Sequence, residues 1–232
     1  MEKDIIQKNI EEEIVKTVVK NVVERIIKEK NVISQFSNIS EKYKIPLGVS
    51  VRHIHITEEH YKILFGETAK LEVLRYLRQP GEFASKSTCT IVGPNMIAIE
   101  NVRILGPHRK FTQVELAKTD AITIGIKNLP LRNSGDVANS APITIVGPKG
   151  SIYLKEGAIR AWRHIHLDLE AAAYYNLKDK DIVKVRVPGE TSVIFENVIV
   201  RVSQNYLPEF HIDTDEANAV GLKENTEIEL IK

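Results

Sequence analysis

Two regimes of hydrophobic spacing divide the chain. Over residues 2–30 apolar side chains recur about every four positions, as Ile5-Ile6, Ile10, Ile14-Val15, Val18-Val19, Val22-Val23 and Ile26-Ile27. That beat predicts an amphipathic helix, aided by Glu12 with Lys16 and Glu24 with Lys28 in the favourable i, i+4 order. Four-residue spacing advances about 40° per step around a helix, so the stripe winds and is broad. The helix is expected to end near Asn31, and the mostly polar run from Ser34 to Lys44 reads as a linker. From residue 45 the spacing changes to short β-branched runs separated by turns, among them Thr90-Ile91-Val92-Gly93-Pro94, Val102-Arg103-Ile104-Leu105-Gly106-Pro107 and Thr144-Ile145-Val146-Gly147-Pro148. Such runs, closed by Gly-Pro and Pro-Gly turns, predict barrels or sandwiches rather than a parallel βαβ sheet. Two short helices interrupt them, one from the N-cap Thr57 to Gly66 and one from Asp168 to about Asn176.

Each of these short helices follows the same tetrapeptide, Arg52-His53-Ile54-His55 or Arg163-His164-Ile165-His166. Four of the seven histidines are spent there. In a strand, residues i and i+2 point to one side roughly 6.5–7 Å apart, so both imidazoles can converge on one ion. The duplication continues in Glu100-Asn101-Val102-Arg103-Ile104 and Glu196-Asn197-Val198-Ile199-Val200, at an offset of 96 residues that also carries Glu115 onto His211. Each half therefore holds a His-x-His pair and a third potential ligand at an equivalent place. The His pairs are 111 residues apart, so the first half carries about fifteen extra residues, which read as a tolerable surface insertion. Three ligands with one open position suit catalytic zinc, and two such sets facing each other would make a two-metal centre. A lone His-x-His is commonly structural; its repetition in register favours the metal. His60 reads as a solvated helix residue, His108 is ambiguous, and Arg52 and Arg163, on the opposite strand face, read as structural pairing groups.

With 232 residues and 43% apolar content the chain can bury one large core or two of about a hundred residues each. The duplication favours two, divided approximately into 45–135 and 136–232, with exchange of strands between halves allowed. Lys and Arg number 32 against 31 Asp and Glu, a net charge of +1, which argues against nucleic acid or an anionic membrane as partner. Phosphate binding, if any, must be local. The single Cys89 excludes an intramolecular disulfide, fits a reducing cytosol, and reads as a half-buried strand residue between Thr88 and Thr90. No run approaches a membrane span and the N-terminus lacks the layout of a signal peptide, so a cytoplasmic location is expected.

The segments Gly48–His55, Gln79-Pro80-Gly81-Glu82-Phe83-Ala84, Ile104–Lys110, Gln113-Val114-Glu115, Arg132-Asn133-Ser134-Gly135-Asp136 and Phe210–Asn218 together resemble the PduL-type phosphotransacylases. These are the phosphate propanoyltransferases associated with bacterial microcompartments, and the resemblance spans roughly residues 45–232. It implies a mainly β fold of two pseudo-symmetric β-barrel domains with short capping α-helices, a dinuclear zinc site between them, and exchange of an acyl group between coenzyme A and phosphate. It assigns His53, His55 and Glu115 to one zinc and His164, His166 and His211 to the other, with Asn218 as an additional ligand to the second. Arg109 becomes the candidate for gripping phosphate, because a planar guanidinium makes two charge-assisted bonds to one oxyanion. Ser134 is a candidate phosphate or coenzyme contact, or else a turn cap. Family members carry an N-terminal amphipathic segment that docks on microcompartment shell proteins, so residues 1–33 have three readings: shell targeting, a helix contact within a homo-oligomer, or packing on the barrels. Two rival functions remain at this stage, a metal-dependent acyl-CoA hydrolase and a non-catalytic docking protein.

Overall fold

The computed structural model describes residues 21–28, 43–222 and 226–231, in two units, Met1–Lys44 and Ile45–Lys232. In the first unit residues 21–28 are helical (α1) and include Val22, Val23, Ile26 and Ile27 of the predicted stripe. The rest of the expected helix over 1–33, and residues 34–42 of the expected linker, lie outside the described residues. No helix among the described residues is long and apolar enough to cross a membrane.

The second unit is mainly β, as expected. Its strands are β1 (Leu47–Ser50), β2 (His53–His55), β3 (Val73–Tyr76), β4 (Phe83–Val92), β5 (Ala98–Gly106), β6 (Gln113–Glu115), β7 (Leu131–Arg132), β8 (Ala141–Val146), β9 (Ser151–Ala161), β10 (His164–Leu167), β11 (Ile182–Val187), β12 (Val193–Val202), β13 (Glu209–Asp213) and β14 (Glu229–Ile231). Short helices follow four of them: α2 (Glu58–Phe65), α3 (Lys118–Thr123), α4 (Leu169–Tyr175) and α5 (Thr214–Val220). As the sequence predicts, Thr57 caps α2 by accepting from the His60 amide and Asp168 caps α4 by accepting from Ala171, while Gly66 and the left-handed Asn176 end them.

The strands close two rings. In the first, β4, β5, β2, β6, β9 and β8 pair in succession and β8 returns to β4, with β3 and β7 attached outside the ring. In the second, the order is β1, β13, β10, β12, β11, β14. It closes through a bridge between Pro46 and Glu227, flanked by Leu47 N to Thr226 O and Ile228 N to Ile45 O, each 3.0 Å. The two rings share one pairing pattern. β2 is parallel to β5 and antiparallel to β6, as β10 is to β12 and β13, and β6 and β13 each take a parallel neighbour, β9 and β1.

That last neighbour is exchanged. β1 directly precedes β2 in the chain yet pairs in the ring of β10, and β9 directly precedes β10 yet pairs in the ring of β2. Only Val51-Arg52 and Trp162-Arg163 link these strands. Through these two-residue links the chain passes straight from one ring into the other. The sheets accordingly do not divide at 135/136: β8 and β9 complete the first ring from beyond that point, and β1 completes the second from before it.

The 96-residue register holds in space. His53 stands opposite Arg103 and Glu115, and His164 opposite Ile199 and His211. The repeated Glu-Asn-Val marks a matched pair of bulges, where β5 and β12 each carry one residue more than the strand opposite. Asn101 and Asn197 take φ of 59° and 56° there, a left-handed backbone that Asn tolerates better than other residues with a side chain. Side-chain direction follows the strand period: Ile54 and Ile165, between their histidines, are fully buried and each contributes about 1.5–3 kcal/mol. The opposite faces thus present the imidazoles together. Gly147 ends β8 where it meets α2; a Cβ there would lie 2.5 Å from the Leu64 carbonyl oxygen, so no larger residue fits. Cys89 is buried on β4, and burial pushes its thiol up to about 12, as suits an inert strand residue.

Candidate metal centre

Both His pairs leave their strands in the same way. The Nδ1 of His53 lies 2.8 Å from the Val51 carbonyl, and that of His164 lies 2.7 Å from the Trp162 carbonyl. A carbonyl only accepts, so Nδ1–H donates and Nε2 keeps its lone pair for the site. In the first triad the Nε2 atoms of His53 and His55 are 3.2 Å apart, and the Glu115 carboxylate lies 3.5 Å from one and 3.8 Å from the other. With its Nδ1–H committed to Val51, His53 Nε2 is an acceptor there, open to a proton on His55 Nε2 or to a cation. Gln113 donates to Glu115 Oε1 at 2.7 Å and so fixes the carboxylate.

The second triad makes the case more strongly. His164, His166 and His211 bring ligand atoms within 4.8 Å of one another, as do His53, His55 and Glu115. Both ring nitrogens of His166 and the Nε2 of His211 are buried without a hydrogen-bond partner. Each such atom costs about 1–3 kcal/mol if left unpaired, and a coordinated ion would take up one nitrogen of each ring. Burial first, and then neighbouring positive groups, hold His55 and His166 well below the ordinary imidazole range and bring His164 to about 3. Neutral imidazole is the ligating form, and two-His-one-Glu and three-His sets suit zinc.

All six side chains line one cavity of about 1020 Å³, together with Arg109 and Ser134. The chain is nearly neutral as a whole, yet six arginines and three glutamates line this cavity, which makes it a site for anions. Arg109 donates from Nη2 to Glu82 Oε1 at 2.7 Å and reaches Ser134 Oγ from Nη1 at 3.5 Å. Ser134 Oγ also accepts from Gln113 Nε2 at 3.2 Å, so a polar chain runs from Glu82 through Arg109, Ser134 and Gln113 to Glu115. Arg52 and Arg163 pair outside the triads with Asp120 and Glu216, at 2.8 and 2.9 Å.

Several sequence expectations need revision. Asn218 is exposed on α5, its carbonyl accepts from the Gly221 amide, and it does not line the cavity. His60 is not simply solvated: its Nδ1 lies 2.7 Å from Thr112 Oγ1, a partner 52 residues away. His108 stands edge-on to Tyr61 and joins neither triad. The supposed surface insertion is β3 with the following loop, and Gln79 and Glu82 of that loop line the cavity. Gln79, Glu82 and Gln113 lie in segments that carry the family resemblance, and the extra residues between α2 and β4 are the sequence signal for the first two.

Comparison with known proteins follows the same lines. The sequence pattern described as phosphate propanoyltransferase matches residues 46–223. A phosphate propanoyltransferase of Lachnoclostridium phytofermentans is 49% identical over 192 residues, covering 83% of this chain and 89% of that protein. One of Thermotoga maritima is 51% identical over 179 residues, 77% of this chain and 84% of its own length. One of Listeria monocytogenes is 40% identical over 205 residues, with coverages of 87% and 95%.

Proposed function

Because the chain belongs to the phosphate propanoyltransferase family, and so is an acyltransferase working between coenzyme A and phosphate, we propose that it exchanges a propanoyl or acetyl group at a pair of zinc ions. One ion is held by His53, His55 and Glu115, and the other by His164, His166 and His211. The observation that carries this reading is the pair of register-matched triads facing one cavity with Arg109 beside them.

Bound zinc would supply Lewis-acid polarisation of the thioester carbonyl and stabilisation of the departing thiolate. The protein's own groups handle the phosphate. Arg109, half-buried and tied to Glu82 by one arm, offers its other N–H groups to two phosphate oxygens and holds the anion for attack. Ser134 Oγ, next to that guanidinium, adds a further hydrogen bond. A phosphate oxygen forms the new bond to the acyl carbon, the carbon–sulfur bond breaks, and the electron pair leaves on the coenzyme A thiolate. Asn218 has no part in this reading. Thiol release from acetyl- and propanoyl-CoA, measured with and without phosphate alongside metal analysis of the same sample, tests it. Release that ignores phosphate would instead make the protein a metal-dependent hydrolase.

Residues 1–33 serve association in this reading, either with microcompartment shell proteins or within a homo-oligomer. Every proposed ligand lies at or after His53, and Ile45–Lys232 forms a compact unit. A chain beginning at Lys44 should keep its turnover number and zinc content but change its oligomeric state or its co-sedimentation with shell proteins. Misfolding or loss of zinc in the shortened chain would assign the helix to the barrels instead.

A further inference from the structure

The two triads differ in a way that the 96-residue register exposes. On β6 the residues are Gln113 and Glu115; at the equivalent places on β13 they are Glu209 and His211. The first half sets an amide beside a carboxylate, and the second sets a carboxylate beside an imidazole. Glu209 Oε2 lies 3.0 Å from His211 Nε2, yet that nitrogen forms no hydrogen bond. In the first triad the Glu115 carboxylate likewise lies 3.5 and 3.8 Å from the Nε2 atoms of His53 and His55, as an ion-pair contact.

The carboxylate is held from two sides. Gln79, itself buried, donates to Glu209 Oε2 at 2.7 Å and is anchored by Leu207, donating to its carbonyl at 3.0 Å and accepting from its amide at 3.3 Å. On the other side a Cβ at Gly48 would lie 2.6 Å from Glu209 Oε1. Gly48 pairs with His211 as Ile159 pairs with Glu115, so the second ring has a glycine where the first has a bulky side chain, and the space goes to Glu209. Of the three carboxylates lining the cavity, Glu82 is taken by Arg109 and Glu115 by the first triad. Glu209 is the one left.

We infer that Glu209 belongs to the second site, its carboxylate lying beside the metal-facing Nε2 of His211 and supplying a divalent cation with the negative charge that three neutral imidazoles lack, with Gln79 fixing the carboxylate in turn. This rests on the triads being metal sites. Partners of this kind commonly change metal affinity by about 10–100-fold when removed. The test is zinc titration of the full chain after chelation, comparing the unaltered protein with Glu209→Gln. The unaltered chain should bind two equivalents, and Glu209→Gln should keep one at unchanged affinity while the other weakens roughly 10–100-fold. Gln79→Leu, which frees the carboxylate without removing it, should weaken the same equivalent by less, and it decides the matter if Glu209→Gln fails to fold. Two equivalents of unchanged affinity in the variants would overturn the role of Glu209 alone. Fewer than two in the unaltered chain would overturn the metal reading and this inference with it.

Discussion

His164→Ala, and separately His53→Ala, should abolish acyl transfer and lower bound zinc from about two equivalents per chain towards one. Each change removes one of three ligands and, with it, the tautomer-setting bond to the Trp162 or Val51 carbonyl. The fold should survive. Both rings lie on the cavity side of their strands, whereas the packing core on the other side is built from Ile54 and Ile165, which remain. A loss of about 1–3 kcal/mol is tolerable for a domain stabilised by roughly 5–15 kcal/mol. Circular dichroism, zinc analysis and thiol release on the same preparations separate the outcomes. Full activity in a zinc-free His53→Ala/His164→Ala double variant would end the two-metal reading.

Arg109→Lys should raise the phosphate KM and lower turnover, by about 1.5–3 kcal/mol in kcat/KM or roughly 10–100-fold. Lysine keeps the charge but offers one ammonium in place of a fork. Glu82 makes the loss larger, since it lies 2.7 Å from the guanidinium and would compete with phosphate for the single ammonium. Initial rates across a range of phosphate concentrations decide it. Phosphate kinetics that do not change would leave Arg109 as a tie between Glu82 and Ser134.

The repeat was legible because it is local chemistry copied at fixed intervals. A His-x-His on a strand must present both rings to one side, and the offset that aligns Glu100-Asn101-Val102 with Glu196-Asn197-Val198 also aligns bulges and third ligands. Sequence spacing could not say which ring each strand joins. Leu47–Ser50 has the same apolar content whether it pairs with β13 or with a nearer strand, and the two-residue Val51-Arg52 link would serve a hairpin with β2 equally well. The loop bearing Gln79 and Glu82 reads as a surface insertion for a related reason: its partners, Glu209 and Arg109, are 130 and 27 residues away. The same holds for His60, whose polar partner Thr112 lies just before β6, 52 residues away.

Strand exchange also sets a schedule for synthesis. Leu47–Ser50 leaves the ribosome early, but its partner Phe210–Asp213 follows 163 residues later, so at roughly 5–20 residues per second it waits on the order of ten to thirty seconds. The first ring can close once Ala161 has emerged, whereas the second can be completed only after Ile231. During that interval an unpaired edge is a hazard for association with other chains. A strand of four residues containing a glycine is a poor template for such pairing, so Gly48 helps to protect the nascent chain as well as making room for Glu209.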